Sequence, residues 1–162
     1  MTLNKPMIDA DEEALKNQLD NMFKQVVAAF DKSMHSLQEQ DTELANQVAG
    51  HDPSINELRE SIEEHSVQTI ALRQPVASDL RKLMSDIYIS MELERIADHA
   101  AAIAKIVIKL DVRPPEECLT PILQMAEKCQ SMLTQAKQAY DAVNEQHARA
   151  IAAMDDEIAV SY

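Results

Sequence analysis

The chain has 162 residues, a length that can hold one or two small domains with a buried core. Its net charge of −13 repels phosphate-rich surfaces, so neither nucleic acid nor an anionic membrane surface is expected as a direct partner. A single glycine, 3% aromatic residues and many good helix formers exclude a sheet-rich fold and predict an all-α protein.

The predicted elements begin with a long amphipathic helix. It runs from Ile8 to the high thirties, because its apolar residues recur at the three- and four-residue steps of a helix face. A short helical segment is predicted from Asp41, and Gly50 and Pro53 indicate a break after it. Asp52 is suited to cap a new helix, with Pro53 at its first position.

Prolines set the bounds of the helices that follow. Proline is tolerated in a first turn but not in a helix interior, so Pro75 is predicted to open the third long helix and Pro114 to end it. The predicted spans are 54–72 for the second long helix, 75–113 for the third, 116–143 for the fourth and a partial last helix through Tyr162.

The chain contains a weak internal repeat at an offset of 103 residues. The matching positions are Met22, Val26 and Phe30 with Met125, Cys129 and Leu133, and Ala45, Val48, Ala49, Asp52 and Ile55 with Ala148, Ile151, Ala152, Asp155 and Ile158. The chain is therefore interpreted as one and a half copies of a three-helix unit. We expect a first domain at 1–112 and a partial second domain at 113–162.

An apolar stripe on the predicted third helix becomes acidic without changing direction. At about 100° per residue, the stripe consists of Val76, Leu80, Leu83, Ile87 and Met91, and its next two positions are Glu94 and Asp98. Two carboxylates one turn apart, placed where core residues are expected, are costly unless they are protonated, paired or bound to a cation. A second apolar stripe on the opposite side, from Ile89 to Leu110, leaves only the flanks for water and favours a bound cation over a solvated acidic face. Oxygen-only ligands favour magnesium, manganese or iron over zinc, and the identity of the metal stays open.

Arg81, Tyr88, Glu92, Arg95 and His99 project between the two stripes, on one polar edge of the third helix. The favoured interpretation is a salt-bridged flank, since Glu92 lies three residues before Arg95. The alternative is a docking edge for a partner protein. Arg95 could also reach an acidic residue of the second helix, which the sequence leaves open.

Four further residues have structural interpretations. Asp79 lies in a first turn, where negative charge suits the helix dipole, and Asp52 serves as a cap. Cys118 and Cys129 lie roughly 16 Å apart on one helix, beyond the reach of a disulfide, and are interpreted as buried or partly buried apolar residues. This cysteine usage, together with an N-terminus that does not read as a signal peptide, predicts a reduced, cytoplasmic protein.

Two runs of residues together resemble the PhoU family, bacterial regulators of phosphate uptake. They are RQPVASDLR at 73–81 and ELERIAD at 92–98, with DPSIN at 52–56 as upstream support. An isolated E-x-x-x-D pattern carries no information in a helical protein, whereas these two runs at this spacing are specific. The resemblance covers essentially the whole chain and is strongest from Gln74 to Ala104.

The resemblance implies a tandem of two three-helix bundles, each with an E/D-x-x-x-D motif that binds metal ions. This chain matches the motif at Glu94 and Asp98, with Ala97 in place of the more usual glycine. The second motif is absent, so one metal site at most is expected. The implied role is a non-enzymatic regulator that restrains the phosphate ABC transporter by contacting its ATPase and the associated sensor histidine kinase.

Two other functions compete with this interpretation. A helical adaptor without metal is the serious alternative. A di-iron carboxylate enzyme is disfavoured, because it needs Glu-x-x-His motifs and none of the five histidines follows a glutamate at that spacing. We also expect a homodimer, since half a repeat leaves the apolar faces of the fourth helix uncovered.

Overall fold

The computed structural model describes the backbone of residues 5–159, and the side chains in that range other than those of 5, 51, 52 and 155–159. Five helices follow one another, and residues 5–159 contain no strand. The helices are α1 Lys5–Glu39, α2 Thr42–Arg73, α3 Ser78–Lys109, α4 Glu116–Asp141 and α5 Glu145–Ala159. The predicted all-α fold is confirmed. None of the helices described has the length and apolar character needed to cross a bilayer.

The chain divides after Leu110 into two compact units, the first holding α1 to α3 and the second α4 and α5. In the first unit α2 runs antiparallel to α1, while α3 runs parallel to α1. The polar contacts that set these directions join Arg73 to Asp11, Ser61 to Gln18, Lys82 to Glu12 and Gln40 to Leu110. The first unit is therefore an up-down-up bundle, as expected for helices joined by short connections.

The core of the bundle follows alternating steps of three and four residues. On α2 the buried positions are Ala45, Val48, Ile55, Ile62, Ser66 and Thr69. On α3 the buried positions that follow these steps are Leu83, Asp86, Ser90, Leu93, Ala97, Ala100, Ala104 and Val107, and Ala101 beside them is also buried. This is the spacing of a coiled-coil seam, in which residues of one helix fill holes formed by the next. The seam of α3 contains one aspartate, one serine and three alanines, so its helix packs through small side chains.

The first predicted stripe is not the core face of α3, although one of its members is buried. Val76, which precedes the helix, is 66% exposed and Met91 is 45% exposed, whereas Leu83 of the predicted stripe is fully buried and belongs to the observed seam. The second predicted stripe lies closer to the core, because Leu93 and Val107 are buried. The error arises because large apolar residues outline a stripe more strongly than the small residues that line the actual seam.

The predicted break at Gly50 and Pro53 is also wrong, because α2 continues through both residues. Its N-cap is Asp41, whose side chain accepts a hydrogen bond from the backbone N–H of Leu44 at 2.9 Å. The backbone of Asp52 lies inside the helix, so no helix begins there as the predicted cap requires, and the side chain of Asp52 lies outside the described residues. Pro53 removes one intrahelical hydrogen bond, but the buried seam continues on both sides of it and keeps the helix in place.

Pro75 lies in the connection before α3 and does not open that helix, which begins at Ser78. Gln74 ends α2 in a left-handed conformation, with φ 51 and ψ 54, and its N–H donates to the carbonyl of Ile70. Ala77, immediately before α3, has φ 47 and ψ −101. The chain therefore turns between α2 and α3 at Gln74 and Ala77, which both have positive φ, and Pro75 lies between these two residues.

The α1–α2 and α4–α5 connections share one local structure at the 103-residue offset of the sequence repeat. Gln40 and Val143 have φ values of 55 and 48. Asp41 and Asn144 each accept a hydrogen bond from the backbone N–H three residues later, at 2.9 and 3.0 Å. The same turn and the same type of cap thus begin α2 and α5.

In the second unit Cys118 is exposed, contrary to its interpretation as a buried or partly buried apolar residue, and Cys129 is partly buried.

Candidate functional site

Glu94 lies on the flank of α3 that faces α2, where it meets Arg59. The Nε atom of Arg59 lies 3.0 Å from Oε2 of Glu94, and the two side chains are only 20% and 25% exposed. Arg59 falls in the seam of α2, between Ile55 and Ile62 at the same three- and four-residue steps. The negative charge of Glu94 in the predicted acidic seam is therefore paired with the guanidinium of Arg59, a cation within the protein itself.

Arg59 is surrounded by more negative charge than it can neutralise. Its other guanidinium nitrogens contact Glu63 and Glu60, the latter at 3.4 Å. The buried Nε atom has no hydrogen-bond partner, so its contact with Glu94 is an ion pair without hydrogen-bond alignment. Three carboxylates and one guanidinium leave a local excess of negative charge, which favours a further cation nearby.

Asp98 follows Glu94 by one turn but is exposed. The two predicted ligands thus differ in setting, one held against α2 and the other open to solvent. Because α2 and α3 are antiparallel and Arg59 lies opposite Glu94, Asn56 falls at about the level of Asp98. Oδ1 of Asn56 is buried and accepts no hydrogen bond from any described residue, which costs about 1–3 kcal/mol for an amide oxygen.

The residues present fit an open site for a hard cation and do not fit a closed structural site. Between residues 5 and 159, wherever side chains are described, no three His, Cys, Asp or Glu residues are grouped so that they could hold a metal ion. Glu94 and Asp98 supply two carboxylates on neighbouring turns, and Asn56 supplies a neutral oxygen. Magnesium commonly binds one or two carboxylates and keeps several waters. The assignment of Glu94 and Asp98 as metal ligands stays a prediction.

The polar edge of α3 is a salt-bridged flank in part. Arg95 pairs with Glu92 at 2.8 Å on the exposed surface, which confirms that predicted pair. Arg95 makes no ion pair with any α2 residue whose side chain is described, and the ion pair between the two helices joins Arg59 of α2 to Glu94 of α3. Asp79 lies in the first turn of α3 as predicted, and there it accepts a hydrogen bond from the hydroxyl of Ser78 at 3.1 Å.

Arg59 is the residue of this site that sequence reasoning missed. A signal for it exists, because continuing the steps of Ala45, Val48 and Ile55 places Arg59 on the seam. A charged residue at a seam position needs a partner from a neighbouring helix. The assumed break at Pro53 hid this continuity.

Comparison with known proteins identifies the family. Residues 19–107 match the family model described as the PhoU domain. The chain is 29% identical over 157 residues to the "Phosphate-specific transport system accessory protein PhoU homolog" of Clostridium acetobutylicum, covering 96% of this chain and 72% of the relative. It is 38% identical over 121 residues to the protein of the same name from Aquifex aeolicus, covering 75% of this chain and 55% of that relative.

Solved structures agree with the sequence relatives. The crystal structure of the phosphate transport system regulatory protein PhoU from Streptococcus pneumoniae superimposes with a TM-score of 0.85 at 29% identity, covering 93% of this chain and 70% of the other. The crystal structure of PhoU from Pseudomonas aeruginosa gives a TM-score of 0.86 at 29% identity, covering 92% of this chain and 72% of the other. Since the family model alone spans more than half of its residues, this chain belongs to the PhoU family.

Proposed function

We propose that this chain is a non-enzymatic accessory regulator of phosphate transport. It restrains the phosphate ABC transporter by contacting the transporter's ATPase and the associated sensor histidine kinase. The observation that carries the proposal is the PhoU family match over residues 19–107, supported by relatives named as accessory proteins of the phosphate-specific transport system. An acidic helical bundle suits such a role, because complementary charge accelerates and orients docking onto basic protein surfaces.

We also propose that Glu94 and Asp98 bind a hard cation, with Asn56 Oδ1 as a neutral donor. The local excess of carboxylates around Arg59 and the buried, unbonded Oδ1 of Asn56 support this part of the proposal. In this arrangement Arg59 and the cation compete for Glu94. Cation binding would then loosen the ion pair between α2 and α3 and so connect metal occupancy to the packing of the bundle.

A metal-free helical adaptor is the second candidate function. The specific observation that favours it is the ion pair of Arg59 with Glu94, which neutralises the more buried of the two carboxylates without any metal. Under this alternative the chain docks onto the transporter through its surface alone. Chelator should then leave its effect on transport unchanged.

The test uses the phosphate ABC transporter encoded in the same genome, reconstituted with and without the purified chain. Phosphate transport and the ATP hydrolysis that drives it are both measured. We expect added chain to lower phosphate-dependent ATP hydrolysis in a saturable way. Autophosphorylation of the sensor kinase is measured in parallel, with and without the chain. Unchanged ATP hydrolysis and unchanged autophosphorylation at saturating chain would contradict the proposed function. Repeating the measurement with chelator separates the metal-dependent regulator from the adaptor.

A further inference from the structure

The outer face of α3 carries an exposed apolar row. Met84, Tyr88 and Met91 are 37%, 61% and 45% exposed. They follow one another by four and three residues and therefore share one face of the helix. That face lies away from the buried seam through Leu83 and Leu93. Three large apolar side chains in a line on one helix are the pattern by which helices dock against other helices.

Two arginines stand at the ends of this row. Arg81 precedes Met84 by three residues, and Arg95 follows Met91 by four, so all five residues form one line that we call the α3 outer row. Arg81 is exposed and makes no ion pair with any residue the structure describes. Among the described side chains, Arg95 forms an ion pair only with the neighbouring exposed Glu92.

Between Arg81 and Met91 the sequence of α3 has no exposed acidic residue, although the chain as a whole has a net charge of −13, and the exposed Glu92 lies beside Arg95 at the C-terminal end of the row. Between Asp79 and Glu92 the only acidic residue is Asp86, which is 1% exposed and belongs to the seam. Over this stretch the row is thus a local basic and apolar surface on an acidic protein. Aromatic residues, methionine and arginine are the types enriched in the centres of protein interfaces.

We propose that the α3 outer row docks an amphipathic helix of a partner protein, with an apolar face and acidic flanks. The apolar face covers Met84, Tyr88 and Met91, and the acidic flanks pair with Arg81 and Arg95, which lie about 21 Å apart along the helix. A second copy of this chain fits less well, because two chains of net charge −13 repel each other. The inference rests on the proposed function, since it names the kind of partner element that such a regulator engages.

The test uses two fluorescein-labelled helical peptides of 18 residues. Both carry leucines at positions i, i+4 and i+7, and their flanks are glutamate in one peptide and lysine in the other. Fluorescence anisotropy measures binding of each peptide to the full chain. General attraction to a protein of net charge −13 favours the lysine peptide, so tighter binding of the glutamate peptide identifies the local surface.

Variants make the assignment specific. The double variant Arg81→Glu, Arg95→Glu should bind the lysine peptide more tightly than the glutamate peptide. Tyr88→Ser should lower the affinity for the glutamate peptide by about tenfold. The matched control is Arg113→Glu with Arg149→Glu, which changes the net charge equally at exposed positions off the row. Circular dichroism verifies that each variant keeps its helices.

Several results would overturn the inference. One is stronger binding of the lysine peptide to the wild-type chain, and another is binding of the glutamate peptide that the charge reversal leaves intact. A wild-type dimer that Tyr88→Ser converts to a monomer in sedimentation would assign the row to a second copy of the chain. The transport assay is independent of these peptides, so a chain that binds the glutamate peptide but leaves transport unchanged contradicts the proposed function alone.

Discussion

Arg59 of α2 and Glu94 of α3 form an ion pair of 3.0 Å across the helix interface, with both side chains largely withdrawn from water. The arginine occupies a seam position of α2, and the glutamate lies on the flank of the α3 seam. Partial burial makes such a pair sensitive to the loss of either partner, because a charge left behind in a poorly hydrated place is costly. This contact therefore couples the packing of α2 and α3 to the electrostatics of the candidate cation site.

The two ends of this pair should respond unequally to substitution. Glu94→Gln leaves Arg59 with Glu60 and Glu63, whereas Arg59→Gln leaves three carboxylates together, so we expect the arginine variant to be the less stable one. A double-mutant cycle by urea unfolding should give a coupling of about 0.5–1 kcal/mol.

The control for this cycle is the exposed pair of Glu92 with Arg95, whose side chains are 66% and 67% exposed. Its coupling should be close to zero, because water and salt screen it. Equal coupling in the two pairs would contradict a buried clamp between α2 and α3.

Much of the fold was predictable because helix formation depends on local composition and spacing. The helical class, the long first helix and the start of α4 at Glu116 follow from residues close together in the chain. The Arg59–Glu94 pair was not predictable in the same way, because it joins residues 35 positions apart. It requires the register between α2 and α3, which depends on the seam and the connection at Gln74 to Ala77.

The seam itself was hidden by its composition. Asp86, Ser90 and Ala97 are buried on α3, while Met84 and Met91 are exposed, so hydrophobicity alone ranks the wrong face first. Heptad spacing, applied without regard to side-chain size, selects the correct positions. The sequence places Glu94 and Asp98 on α3, where they lie in the structure, but the contact of Glu94 with α2 was not foreseen.

Gly50→Ala should stabilise the protein. Gly50 lies inside α2, and a Cβ added there meets no atom within 4 Å apart from its chain neighbours and the nearby backbone of its own helix. Glycine in a helix interior is less favourable than alanine by about 0.8–1 kcal/mol, so we expect a gain of that order in the free energy of unfolding. Urea unfolding measures it, with the exposed Ala102→Gly on α3 as the reverse control. No gain would indicate that the chain is not helical at Gly50, as the break predicted from the sequence requires.

Ala77→Gly should also stabilise the protein, for a different reason. Ala77 has φ 47 and ψ −101, a conformation that glycine adopts readily and that strains a residue with a Cβ. Relief of that strain should add about 1 kcal/mol to the free energy of unfolding, less the entropy that glycine gains in the unfolded chain. Thermal unfolding measures the change. A lower melting temperature than that of the unmodified chain would show that the connection before α3 is not strained at Ala77.

The last prediction concerns cation binding at Glu94 and Asp98. Glu94→Gln with Asp98→Asn keeps the shapes of the side chains and removes their charge, so the helices should persist while binding of added magnesium or manganese is lost. Metal that binds only the folded protein raises the melting temperature by mass action. The wild-type chain should therefore melt at a higher temperature when metal is added, and the double variant should not.

Arg59→Gln provides the decisive arm of this experiment. If Arg59 competes with the cation for Glu94, its removal should increase metal affinity even though it lowers stability without metal. Isothermal titration measures affinity directly and so separates the two effects. An equal shift of melting temperature in the wild type and in the Glu94→Gln, Asp98→Asn variant would place the metal elsewhere. If neither the wild type nor Arg59→Gln binds metal, Glu94 is not a metal ligand and its partner is Arg59 alone. That result would favour the metal-free helical adaptor as the function of the chain.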